Sequence, residues 1–176
     1  MVWVTLGLGS GVDPENQLRA GLDSLLLHFN DLALSSIFES EPVGFEGNNF
    51  LNMAVGFDTE IKLQELSGLL KEIEDKSGRD RSKEKFQDQN LDIDILTYDK
   101  HVGEFGGIKL PRPGIVENAY VLWPLSQISG NKRHPELKQS YVELWKNYIS
   151  EEQRLWPIDF KWHGRMISHS APKKKH

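Results

Sequence analysis

Cysteine is absent from this 176-residue chain, so disulfides, zinc thiolates and thiol catalysis are excluded. No apolar run approaches the length of a membrane span. The opening stretch, Met1-Val2-Trp3-Val4-Thr5-Leu6, lacks the basic region and cleavage site of a signal peptide. These absences together point to the cytoplasm and away from a membrane. Internal repeats and low-complexity segments are also missing. Positive charge is in deficit, with 21 Lys and Arg against 26 Asp and Glu and a net charge of −5, which argues against a nucleic-acid partner. The basic end, Lys173-Lys174-Lys175-His176, reads as a solvated tail. A hydrophobic content of 38% and a charged content of 27% fit an ordinary globular protein long enough for one domain with a real core, and a monomer is expected.

The stretch Asn90-Leu91-Asp92-Ile93-Asp94-Ile95-Leu96 alternates with period two and predicts a half-buried β-strand. Leu91, Ile93 and Ile95 then face a core, and Asp92 and Asp94 project together from the other face. Paired carboxylates repel unless something cationic sits between them. Mg²⁺, a hard oxygen-seeking ion, is the usual solution. The plainer alternative is a solvated face on an edge strand. Upstream lies a cation-rich run, Gly78-Arg79-Asp80-Arg81-Ser82-Lys83-Glu84-Lys85, which with a metal pair suggests phosphate chemistry.

Val2 to Leu8 predicts a first strand, ending in Gly7-Leu8-Gly9-Ser10-Gly11. That glycine spacing is a poor match to a dinucleotide loop. Asp13-Pro14 predicts a helix start, with an Asp cap, and Leu18, Leu22, Leu25 and Leu26 keep one face apolar to Phe29. Leu32 to Glu39 predicts a second strand and Phe50 to Thr59 a third. On the third, Leu51, Met53, Val55 and Phe57 fall on a core side, and Phe50, Asn52, Ala54 and Gly56 on the other. A ring and an amide beside two small residues leave room for a flat ligand, or else decorate an edge strand. Leu63, Leu66, Leu69, Leu70 and Ile73 predict a second helix, stopping near Gly78. The order strand, helix, strand, strand, helix, strand is the α+β, ferredoxin-like βαββαβ sandwich, with extra C-terminal elements. Its second sheet face is expected to be free and to carry Phe50, Asn52, Asp92 and Asp94. Beyond Tyr98, Gly103 to Gly107 reads as a loop, Leu137 to Tyr148 as a short helix, and Glu151 to His169 as a segment folding back on the body. His101, His134, His163 and His169 read as surface or loop residues.

With these residues placed, the chain resembles the 6-hydroxymethyl-7,8-dihydropterin pyrophosphokinase family of folate biosynthesis. The resemblance is strongest over residues 4–125 of a single 1–176 domain, with 150–176 a divergent extension. Its carriers are Leu8-Gly9-Ser10, Ser35-Ser36-Ile37-Phe38 through Pro42-Val43-Gly44, Phe50-Leu51-Asn52, Gly78-Arg79-Asp80-Arg81, the Asp92/Asp94 strand, and Leu122-Trp123-Pro124-Leu125. The resemblance implies pyrophosphate transfer from ATP to the hydroxymethyl group of a reduced pterin, releasing AMP. It implies that Asp92 and Asp94 hold two Mg²⁺ ions, and that Arg79, Arg81 and Arg112 act with them as catalytic residues. The pterin is expected against Ser40, Val43, Phe50, Asn52 and Tyr120. The nucleotide is expected against Glu74, Arg79, Phe86, Gln89, Ile95 and Arg112, with residues 77–89 as the family's catalytic loop.

Departures from the family pattern cluster around the phosphates. Gln89 stands where the family has an arginine, Arg112-Pro113 where it has His-Tyr, Phe86 where it has Trp, and Asp88-Gln89 where a loop ends in Gly-Pro-Arg. They motivate a second reading, a weakened or inactive relative that binds pterin or nucleotide. A third reading, an RNA-binding ferredoxin-like domain, needs exposed aromatics and a basic face, and the acid pair opposes it.

Overall fold

The computed structural model describes residues 1–42, 47–77, 90–149 and 154–171. Its elements, in chain order, are β1 (Val2–Ser10), α1 (Pro14–His28), β2 (Ala33–Leu34), β3 (Ile37–Ser40), β4 (Phe50–Thr59), α2 (Leu63–Lys76), β5 (Asp92–Tyr98), β6 (Gly103–Phe105), β7 (Ile108–Leu110), α3 (Ala119–Ile128), α4 (Tyr141–Lys146), β8 (Leu155–Ile158), β9 (Phe160–Trp162) and β10 (Arg165–Ser168). The main sheet runs β5-β1-β4-β3-β8, with β2 also on β4. Its pairings β1–β4, β1–β5, β3–β4 and β3–β8 are all antiparallel.

Period-two alternation fixes which face each strand buries. Leu6 and Leu8 of β1, Met53, Val55 and Phe57 of β4, and Ile93 and Ile95 of β5 join one core with Leu18, Leu22 and Leu25 of α1 and Leu66, Leu70 and Ile73 of α2. Burying a Leu or Ile side chain is worth about 1.5–3 kcal/mol, so this layer dominates stability. A second, smaller core forms across the sheet from Leu96, Ile115, Leu122, Leu125 and Tyr141.

That second core corrects one expectation. The sheet's other face is not free, because α3 lies across part of it. Trp3 of β1 donates its indole N–H to Ser129 Oγ at 2.9 Å, the Ser36 N–H reaches Gln127 Oε1 at 2.7 Å, and Trp123 packs on Phe38 with ring centroids 4.4 Å apart. The region where Gly9, Asn52 and Asp92 stand abreast is half-buried, not sealed.

Other differences have local causes. Asp13 does not cap α1: it adopts a left-handed φ of 45°, and its carboxylate accepts from Asn16 Nδ2 at 3.2 and 3.3 Å. Leu26 is 46% exposed, outside the buried stripe. The second strand breaks into β2 and β3 because Ser35 Oγ accepts the Ala54 N–H at 2.8 Å in place of a ladder bond. Residues 103–107 are not merely a loop: β6 and β7 form a hairpin around Gly106 and Gly107, with φ of 58° and 87°. His134 is buried at 7% exposure, and its Nδ1 accepts the Glu136 and Leu137 N–H groups. The C-terminal segment does fold back: β8 extends the sheet, and Phe160 enters the main core.

Candidate functional site

The site is set by register. Gly9 of β1 pairs with Asp92 of β5 on one side and Asn52 of β4 on the other, and Asn52 pairs with Phe38 of β3. Asp92, Gly9, Asn52 and Phe38 therefore form one row across four strands. Gly7 stands likewise between Asp94 and Ala54. Strands are spaced about 4.8 Å apart, so the backbones of Asp92 and Asn52 stand roughly 10 Å apart with only Gly9 between them. A Cβ on Gly9 would sit 2.6 Å from Asn52 Oδ1, and one on Gly11 would sit 2.6 Å from Phe50 Cε1. The amide thus lies down over Gly9 of β1 and the ring over Gly11 just past its end, on a floor of glycines.

Asp92 and Asp94 sit together, as the period-two strand requires, and their carboxyl groups hydrogen-bond to each other. The Asp94 pKa rises to about 7, first from burial and then from the Asp92 charge; Arg112 opposes the rise, while the Asp92 hydrogen bond and Glu74 add to it. The pair holds a proton close to neutrality. The unfolded chain releases that proton near the ordinary carboxyl value of 3.8, so the native state binds more protons between about pH 4 and 7. Stability contributed by this group is therefore complete below pH 4 and is lost as pH rises to about 7. Asp94→Asn should flatten the decline. At pH 8 its Tm should exceed the parent's by roughly 2–4 °C, the effect of about 1 kcal/mol at this size, and at pH 4 the two should coincide. Thermal melts across pH check this; parallel curves would contradict it.

Arg112 is brought to the pair by its backbone N–H, which donates to Leu96 O at 2.8 Å. Its Nη1 lies 3.3 Å from Asp94 Oδ1, with the two side chains 47% and 30% exposed. Such a pair is worth about 0.2–1 kcal/mol, so the guanidinium leaves it cheaply for a phosphate. Tyr120, 41% exposed on α3, has its pKa raised by burial; Arg112 opposes the shift, and Asp94 and Asp92 reinforce it. The phenol is thus within electrostatic reach of Arg112 and the acid pair.

Two residues expected at the nucleotide are tied into the scaffold. Ile95 turns its side chain into the helix-covered core at 9% exposure, leaving its backbone for any ligand. Glu74 is 5% exposed, and its Oε2 accepts the Ile93 N–H at 2.8 Å, tying α2 to β5 between the two aspartates. Ser40 is half-buried at the end of β3, opposite Phe50. Val43, Arg79, Arg81, Phe86 and Gln89 lie outside the described residues. The roles of several positions escaped sequence reasoning. Asn90 Nδ2 donates to Ser77 O at 2.9 Å, joining the chain on either side of residues 78–89, and Ser10 Oγ donates to Asn90 O. Ser10 carries no signal for this. Gly7 and Gly9 do, because glycine at alternate positions of a strand predicts a bare face.

Among the described residues, no group of three or more His, Asp or Glu is placed to hold a metal. The donor set is two carboxylates. That fits Mg²⁺, which binds through one or two carboxylates and keeps its other positions for water and phosphate oxygens. A proton-sharing acid pair is also a site from which a cation displaces a proton.

The chain matches a known family over most of its length. The family described as 7,8-dihydro-6-hydroxymethylpterin-pyrophosphokinase matches residues 5–130. The chain is similar to 2-amino-4-hydroxy-6-hydroxymethyldihydropteridine pyrophosphokinase of Bacillus subtilis (strain 168), 34% identical over 149 residues, covering 80% of this chain and 89% of that protein. The Aquifex aeolicus (strain VF5) protein of the same name is 33% identical over 146 residues, covering 82% of this chain and 91% of that one. Among solved structures, an HPPK-DHPS crystallised with substrates aligns at a TM-score of 0.67 and 11% identity, covering 99% of this chain. At 11% identity it speaks for the fold alone, and this chain spans 49% of that one.

Proposed function

The chain belongs to the 7,8-dihydro-6-hydroxymethylpterin-pyrophosphokinase family, and from that premise we infer that it transfers pyrophosphate from ATP to 6-hydroxymethyl-7,8-dihydropterin in folate biosynthesis, releasing AMP. The observation that carries the site assignment is the row in which Asp92 and Asn52 flank Gly9 on one sheet face. Asp92 and Asp94 hold magnesium there. Magnesium, when bound, neutralises triphosphate charge and orients the phosphates; two ions suit a transfer of this kind. Asn52 hydrogen-bonds the edge of the pterin, and Phe50 and Tyr120 stack on its faces. Backbone groups at Ser40 and Val43 complete that half. Arg112 leaves Asp94 for the phosphates, with Arg79 and Arg81 beside it, and Glu74, Phe86, Gln89 and the Ile95 backbone complete the nucleotide half. Aligning the hydroxymethyl oxygen with the β-phosphorus is the chain's main contribution.

The antiparallel run β5-β1-β4-β3, with α1 and α2 on one face, reads as a ferredoxin-like sheet of order 4-1-3-2 to which β8 is added. Residues 1–176 are taken as one such domain. Among the described residues no helix is long and apolar enough to cross a membrane. The reading is of a cytoplasmic monomer whose partners are ATP and a reduced pterin, with no nucleic acid. No finding favours the inactive relative.

Gly9→Ala tests the floor. The new Cβ would meet Asn52 Oδ1 at 2.6 Å, the tip of a movable side chain, so the protein should fold while Asn52 is displaced. The KM for pterin should rise roughly tenfold or more, with KM for ATP little changed. An unchanged pterin KM would remove Asn52 from the pterin edge. The reading as a whole is tested by incubating the protein with ATP, Mg²⁺ and the reduced hydroxymethylpterin. Stoichiometric AMP and pterin diphosphate are expected; pterin binding without AMP would favour the non-catalytic relative.

A further inference from the structure

β8 lies outside the residues the family match covers, 5–130, yet it is a strand of the sheet that carries the site. Its register on β3 pairs Ser40 with Leu155, Glu39 with Trp156, Phe38 with Pro157 and Ile37 with Ile158. Two contacts show which way these residues face. The indole N–H of Trp156 donates to Glu39 Oε2 at 3.2 Å, and Ile158 packs against the helix-side core that holds Ile37. Trp156 and Ile158 therefore belong to the helix side. Leu155 and Pro157 must take the opposite side by strand alternation, together with Ser40 and Phe38. That is the side of Asn52, which pairs with Phe38, and of Phe50, which pairs with Ser40. The Asp92–Gly9–Asn52–Phe38 row thus continues to Pro157, and the Phe50–Ser40 row to Leu155. Neither Leu155 nor Pro157 is fully exposed.

The strand is held firmly in this position. Ser168 Oγ accepts the Ile37 N–H at 2.9 Å, Phe160 is 2% exposed in the main core, and the Arg19 guanidinium lies 4.6 Å from the Phe160 ring centroid. Trp162 and His163 both meet Asp23 Oδ1, at 2.9 and 2.6 Å.

We propose that Leu155 of the C-terminal strand is a specificity-determining residue, forming the outer apolar wall of the pterin half of the site and limiting the size of pterin accepted. This rests on the assignment of Ser40, Phe50 and Asn52 to the pterin. A Leu at that wall restricts substituents directed along the Phe50–Ser40 row, and a smaller residue opens the space. Discrimination by one or two methylenes in an apolar pocket amounts to about 10–200-fold.

The test is steady-state AMP release by the full chain with ATP and two substrates, the hydroxymethyldihydropterin and an analogue carrying an added alkyl group on the pyrazine ring. Leu155→Ala should raise kcat/KM for the bulky analogue relative to the natural pterin by about tenfold. Leu155→Trp should raise pterin KM about tenfold, with KM for ATP within about twofold of the parent. Trp156→Ala, on the same strand but facing the helices, should leave the substrate ratio unchanged, which separates a wall from a general disturbance of β8. Should the Trp variant fail to fold, the Ala variant still decides. An unchanged ratio in Leu155→Ala overturns the proposal. Asn52→Ala, run in parallel, tells the two claims apart: if it too leaves pterin KM unchanged, the pterin assignment has failed, and if it alone raises KM, only the role of Leu155 has.

Discussion

Asp94→Ala should lower turnover by roughly 10³-fold or more while leaving pterin affinity within about twofold of the parent. The substitution removes one of two oxygen-donor side chains that face the same gap, and it breaks the hydrogen bond between the two carboxyls. Asp92 alone leaves magnesium a single protein ligand, so affinity for Mg–ATP should fall with the rate. Stability should move the other way. Asp94 carries a raised pKa and its main causes are burial and a like charge, so its loss relieves an unfavourable group at neutral pH. A variant that melts no lower than the parent yet makes almost no AMP would separate function from folding. AMP release and calorimetric titration with Mg–ATP measure both effects. Parent-like nucleotide affinity in this variant would contradict the metal assignment.

Arg112→Ala should cost roughly 10–100-fold in kcat, the worth of one hydrogen bond to a charged group. The ion pair it breaks is half-exposed, with Nη1 3.3 Å from Asp94 Oδ1, so stability should change by less than about 1 kcal/mol. A second readout identifies the arginine as more than a surface cation. Arg112 holds the Asp94 pKa down against burial and Asp92. Its removal should therefore let that pKa rise, and the acidic limb of the pH–rate profile should move to higher pH. Arg112→Lys should restore the limb more than the rate, because an ammonium supplies charge without the bidentate fork. An unchanged rate and an unchanged limb together would place Arg112 outside the chemistry.

How far the sequence revealed this site depends on how local each signal is. β4 was legible over Phe50–Thr59 because Leu51, Met53, Val55 and Phe57 recur at every second position, and β5 because two acids interrupt an Ile-rich run at every second position. The placing of Asn52 and Asp92 on one face followed from parity alone. What parity cannot supply is the order of strands, so the glycine floor between them emerged only with the β1 pairings. The covering of the second face by α3 was hidden for a similar reason. Tyr120 to Leu125 is apolar on all sides, with Pro124 inside the helix, and gives no periodicity to orient it. Leu155 was illegible because β8 is four residues long and contains a proline, and because its partner strand lies more than a hundred positions earlier. Ile95, by contrast, was legible: strand parity alone puts its side chain in the core, where it is 9% exposed.

The central claim is that Asp92 and Asp94 seat metal-chelated triphosphate beside the glycine floor. Crystals soaked with Mn²⁺ and a non-hydrolysable ATP analogue test it most directly, because manganese marks its position by anomalous scattering. The expected result is a peak at about 2.0–2.3 Å from oxygens of both Asp92 and Asp94, with phosphate oxygens completing its shell. Nucleotide density with no peak at the two aspartates, or a peak held by other residues, would contradict the account.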